Sequence, residues 1–127
     1  MKKIILILLV TLLTTACSTI IETTKFQECR WDISEQNYLE TDQIYIHKSK
    51  FKIKKQEIIF TSADKSTSFK INEVIKTTDS SDEKIVIYDC VHNNLDIRLT
   101  YYTESDFMLI FGDKAGERYQ TLIIFGN

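Results

Sequence analysis

The stretch KIVIYDCVHNNLDIRLTYY, residues 84–102, holds two runs rich in β-branched and aromatic side chains, separated by the short polar break His92-Asn93-Asn94. Runs of that length and composition read as strands, and asparagines between them read as turn chemistry, so the segment is expected to be an antiparallel hairpin. The same texture extends in both directions. Toward the N-terminus lie Ile44 and Ile46 alternating with Tyr45 and His47, Phe51 and Ile53 alternating with lysines, EIIF at 57–60 and SFKINEVI at 68–75. Toward the C-terminus lie FMLIFG at 107–112 and YQTLIIF at 119–125. The breaks SADKST, TTDSSDE, TESD and DKAGER carry turn residues at short, even spacing.

No segment long enough for a crossover helix shows an apolar 3.6-residue period, which disfavours a parallel sheet. Proline is absent and glycine occurs only at Gly112, Gly116 and Gly126, so the turns must rely on Asn, Asp and Ser. The expected fold is all-β: a small antiparallel barrel or sandwich of about seven to eight short strands following a cleaved signal peptide. The barrel is favoured, because closure removes exposed strand edges. A membrane-spanning barrel is disfavoured by strands that look too short for a bilayer.

The first residues have a different character. Lys2 and Lys3 precede the apolar run IILILLVTLL at 4–13, then Thr14, Thr15 and Ala16 lead into Cys17. A short apolar run behind a positive end and ahead of small residues has the layout of an export signal. LLTTAC, residues 12–17, resembles the lipobox of bacterial lipoproteins, although Thr14 stands three residues before the cysteine, where leucine is usual, and Leu13 one step earlier. The resemblance implies that the chain is cut before Cys17 and that the Cys17 thiol carries acyl chains such as palmitate, anchoring the protein to the lipid bilayer. One chain binds only reversibly, whereas two or three hold firmly. Ser18, rather than aspartate, follows the cysteine. In the resembling family this implies outer-membrane attachment facing the periplasm, if the cell is Gram-negative. The plainer alternative is a secreted protein cut near Ala16. The expected organisation is a signal peptide at 1–16, a lipidated tether at 17–28 and a single β domain at 29–127. CRWDISEQNYLE, residues 29–40, reads equally as a first strand or one helical turn.

The chain carries 16 basic and 18 acidic residues, and loss of Lys2 and Lys3 makes it more acidic still. That balance excludes a general nucleic-acid binder. Cys29 and Cys90 remain in the exported part, and an even pair in an oxidising compartment is expected to form a disulfide contributing about 4 kcal/mol. Two separate buried thiols are the alternative. No cofactor and no metal site is expected, since His47 and His92 are isolated and no short Cys/His spacing occurs. The sequence also lacks a nucleophile elbow and a phosphate-cradling glycine loop, and no enzyme is expected. His92 with Asp89, and Asp79 with Asp82 and Glu83, read as polar turn groups rather than a catalytic pair or a calcium loop. Trp31 resembles the Gly-x-Trp of lipocalins in its tryptophan alone, Cys29 standing at the glycine, and it reads more simply as a plug at one end of a β core.

One surface feature has direction. Lys48, Lys50, Lys52 and Lys54 fall at every second position, so a continuous strand puts them on one face, with Phe51 and Ile53 turned to the core. They form a candidate contact surface for an envelope protein or an anionic envelope component; otherwise they are a solvated face that blocks edge pairing. Two functional classes follow. The first is a membrane-anchored envelope lipoprotein acting as a non-enzymatic protein-binding module, such as an inhibitor, an immunity or exclusion factor, or an assembly accessory. The second is a small lipocalin-like carrier of an apolar ligand. They differ in what fills the barrel.

Overall fold

The computed structural model describes residues 18–127, which form a closed antiparallel barrel of eight strands in sequence order. The strands are β1 (Thr19–Asp32), β2 (Asn37–Ile53), β3 (Glu57–Ser62), β4 (Lys65–Thr78), β5 (Lys84–His92), β6 (Leu95–Tyr102), β7 (Phe107–Ala115) and β8 (Arg118–Gly126). Each pairs with the next, and β8 closes on β1 from Lys25↔Gly126 to Arg30↔Thr121. The residues at 84–102 form the expected hairpin. Its loop is Asn93-Asn94, with φ of 50° and 62°. Two consecutive left-handed residues reverse the chain with a twist that matches the flanking strands, and asparagine accepts that conformation more readily than most side chains.

Alternation fills the interior. Phe51, Ile58, Leu99 and Met108 are fully buried, joined by Ile21, Phe69, Tyr88, Cys90 and Phe125. The ring centroids of Phe51 and Phe60 lie 4.9 Å apart, those of Phe51 and Phe125 5.1 Å, and those of Phe60 and Phe125 5.3 Å. Each such side chain contributes roughly 1.5–3 kcal/mol by leaving water, and well-angled aromatic pairs add about 0.5–1.5 kcal/mol. Eight strands enclose a space that side chains of this size fill.

Three expectations change. The residues taken as a tether, 17–28, are strand from Thr19 onward. The β1–β2 ladder shifts register between Thr23 and Lys25 and again between Gln27 and Cys29, and such bulges erase the two-residue period by which a strand is read. CRWDISEQNYLE is strand rather than a helical turn: Cys29–Asp32 end the first strand, as one of its two readings expects, and Asn37–Glu40 open β2. Together they frame the tip of the β1–β2 hairpin, where the Asp32 carboxylate accepts hydrogen bonds from the Ser34 amide at 2.8 Å and the Glu35 amide at 3.1 Å. β1, β2 and β4 reach 14, 17 and 14 residues, longer than the short strands expected.

The third change concerns the disulfide expected between Cys29 and Cys90, which does not form: both are free, buried thiols. Cys29 belongs to the cross-strand row that runs through Leu122, Phe111 and Arg98 to Asp89. Asp89 is the chain neighbour of Cys90, and neighbours in a strand point to opposite faces. Three strands therefore separate the thiols, and they face opposite sides of the sheet. Cys90 is part of the barrel core, and its Sγ lies 3.7 Å from the Tyr88 carbonyl. Burial pushes the Cys90 thiol up to about 12, with the Asp89 charge assisting. Burial, then Glu40, likewise raises that of Cys29.

Candidate functional site

β2 is the longest strand, and its pairing is uneven. It runs beside β1 from Asn37 to Ile53 but beside β3 only from Ser49 to Ile53. From Asn37 to Lys48 one side of its backbone therefore has no neighbouring strand among the described residues. Within the paired part the alternation holds: Ser49, Phe51 and Ile53 are buried, while Lys50 is exposed and Lys52 half-buried on the outer face. Lys48 is exposed in the same series. Lys54 leaves the row, because β2 ends at Ile53 and the chain turns there. The Lys54 amide donates to the Glu57 carbonyl at 2.9 Å, and its Nζ lies 3.8 Å from Glu57 Oε1. Lys50 is flanked across the strands by Glu22 and Thr61, and Lys52 by Ile20 and Ile59. The row is thus three outward lysines, with one acid set into it.

Counting back by twos from Lys52 leads through Lys50 and Lys48 to Ile46 and Ile44. These two isoleucines are exposed, Ile46 at 88% and Ile44 at 56%. A uniform alternation reading takes them for core. Their partners Lys25 and Gln27 lie on the outer side, whereas Tyr45 pairs with Phe26 and stacks on it at 4.9 Å. Of the nine exposed large hydrophobic residues among those described, six lie on β1, β2 or their connecting turn: Ile20, Ile33, Leu39, Ile44, Tyr45 and Ile46. The signal that finds them in the sequence is the parity of the lysines.

A concavity of about 360 Å³ lies outside the core on β5–β7 and is floored by Ile85, Ile87, Thr100, Leu109 and Phe111. Tyr38, Tyr119, Arg98 and Arg118 stand at its edge. This end is latched. Tyr38 Oη donates to the Tyr119 carbonyl at 2.6 Å, and the Tyr38 ring meets Trp31 and Phe111 edge-on at 5.1 and 5.7 Å. Arg118 sits 3.9 Å over Trp31. Trp31 therefore belongs to an aromatic clasp between the hairpin tip and β7–β8, rather than to the barrel core. Arg98 is engaged by Asp89, to which its Nε donates at 2.7 Å and its Nη2 at 3.3 Å.

That pairing also separates Asp89 from His92, whose Nδ1 lies 3.1 Å from the Ser68 carbonyl. The Asp79 carboxylate accepts from the Ser81 and Glu83 amides, both at 2.9 Å, which makes it a turn-forming group. Among the described residues no group of three His, Cys, Asp or Glu side chains is placed to hold a metal ion. Cys17, the proposed lipid attachment point, lies outside the described residues. No protein-family model, curated protein or solved structure matches the chain.

Proposed function

We propose that the protein is a lipid-anchored envelope protein that acts without catalysis, binding another protein through the outer face of β2. Lys2 to Cys17 supply the export signal and the acylated cysteine, so the barrel is held at the bilayer surface. The observation that carries the binding role is the concentration of exposed apolar side chains on the β1–β2 hairpin, directly beside Lys48 and Lys50. A soluble domain gains nothing from leaving an isoleucine 88% exposed on a strand face, and an apolar patch with a charged border is the usual composition of a protein contact surface. The lipocalin-like carrier is the weaker reading, because Phe51, Ile58, Leu99 and Met108 occupy the space a ligand would need.

Crosslinking in intact cells followed by mass spectrometry tests the binding role, with Lys50→Glu/Lys52→Glu compared against the unaltered chain. Partner capture falls in the double variant, most steeply at low salt, where surface charge is least screened. Folding survives, since Lys50 is exposed and the half-buried Lys52 lies on the outer face away from the packed core, which holds the cost to about 1 kcal/mol. An unchanged crosslink pattern would assign the lysines to a solvated face. The anchor is tested separately by labelling with a radioactive fatty acid: the unaltered chain takes up label and Cys17→Ala does not.

A further inference from the structure

From Glu40 to Lys50, every second residue of β2 reads glutamate, aspartate, isoleucine, isoleucine, lysine, lysine. This order is its own complement when reversed. Laid antiparallel on a second copy about Tyr45, it sets Ile44 against Ile46, residue 42 against Lys48 and Glu40 toward Lys50, twice over by symmetry. Opposite charges and apolar side chains placed across strands each favour pairing, whereas like charges oppose it.

The backbone permits this register. β3 begins beside β2 only at Ser49, so among the described residues no strand pairs with β2 on that side up to Lys48. A two-fold ladder centred on Tyr45 and running from residue 42 to residue 48 lies wholly within the open stretch. Beyond it Thr61 of β3 holds the place beside Lys50, so Glu40 of the second copy meets Lys50 through the reach of the two side chains and not as a ladder partner. The residues at the centre of that ladder, Ile44, Tyr45 and Ile46, are exposed, as an unfilled contact requires. An open edge with exposed isoleucines is a pairing template that folded proteins normally blunt, and a closed two-fold pairing consumes it without leaving an edge for a third chain.

We infer that the partner of the β2 edge is a second copy of this chain, joined by antiparallel pairing about Tyr45. This rests on the reading of β2 as the contact surface and narrows it to one occupant. Residues directly opposite in such a ladder have Cα atoms about 4.5–5.5 Å apart, within the span a disulfide bridges. Position 45 is opposite itself, so Tyr45→Cys in the full-length chain, expressed in cells and mildly oxidised, forms a reducible dimer. The native Cys29 and Cys90 do not interfere, being buried. Ser66→Cys, an exposed position on β4, serves as the control and crosslinks at least tenfold less. In the Tyr45→Cys background, Glu40→Lys or Lys50→Glu alone lowers dimer yield several-fold, and the two together restore it. A position-45 cysteine that captures no second copy but does capture another protein overturns the second-copy inference and leaves the binding surface standing. Capture of neither overturns both. β4 pairs with β3 only up to Lys70 and, among the described residues, has β5 alone beside it from Ile71 to Thr78; a crosslink joining position 45 to a cysteine at Ile75 would mean head-to-tail chains and would also overturn the closed pairing.

Discussion

Cys90 illustrates how much a single position depends on the far side of the molecule. Its thiol is held in the core and pushed up to about 12 from an ordinary 9.0, chiefly by burial. An unfolded chain releases that proton near pH 9 while the folded chain retains it, so folding binds more protons over this range. The contribution of Cys90 to stability is therefore complete below about pH 9 and lost as pH rises toward 12. Thermal melts from pH 7 to 11 should show Tm falling above pH 9, and Cys90→Ala should flatten that part of the decline. A thiol reagent should leave Cys29 and Cys90 unmodified in native protein and label both in denaturant without reductant; a requirement for reductant would restore the disulfide. The sequence shows Cys29 and Cys90 in a chain expected to be exported, but not that one faces inward and the other outward from strands on different sides of the barrel. Ala63 is a second local case. It sits in the β3–β4 turn with φ of 54°, a left-handed conformation that its Cβ resists. Ala63→Gly should raise stability by roughly 0.5–1 kcal/mol after the extra freedom of the unfolded glycine is counted. Urea titration of both proteins measures the difference.

The strands were legible in proportion to how regular they are. β3 and β5–β8 keep an unbroken alternation and fall where composition and turn residues place them. β1 was hidden, because its bulges at Thr23/Lys25 and Gln27/Cys29 interrupt the period just where Lys25 and Glu28 dilute its apolar content. β2 was half legible: the lysines marked its second half, while Ile44 and Ile46 looked like core residues because isoleucine on a strand usually is one. Between β5 and β6, Asp89 and Arg98 face each other as register partners and form a doubly hydrogen-bonded pair. Their side chains are partly exposed, which holds the pair to about 1 kcal/mol. Asp89→Ala should cost no more than that, less in high salt, and a double-mutant cycle with Arg98→Ala isolates the coupling.

At the scale of the whole molecule, the barrel follows from the number of strands and the size of the side chains they turn inward. Phe51 meets both Phe60 and Phe125 at the centre, so Phe51→Ala should cost about 3–5 kcal/mol, measured by urea titration. A loss below 1 kcal/mol would mean a loose interior with room for a ligand. With the core filled, the proposed contact lies on the outside, and there the sequence displayed the lysines, whose parity also turns Ile44 and Ile46 outward, but not the open edge. That edge depends on β3 pairing with β2 only from Ser49 to Ile53. Hydrogen exchange of the full-length protein, read in native membranes and again after purification to dilute monomer, tests most directly whether β2 is the working surface. If it is, amides at 43–48 are protected in the membranes and exchange fast in the monomer, while β5–β7 behaves alike in both. Protection gained instead over Ile85–Phe111, with 43–48 fast in both states, would contradict it.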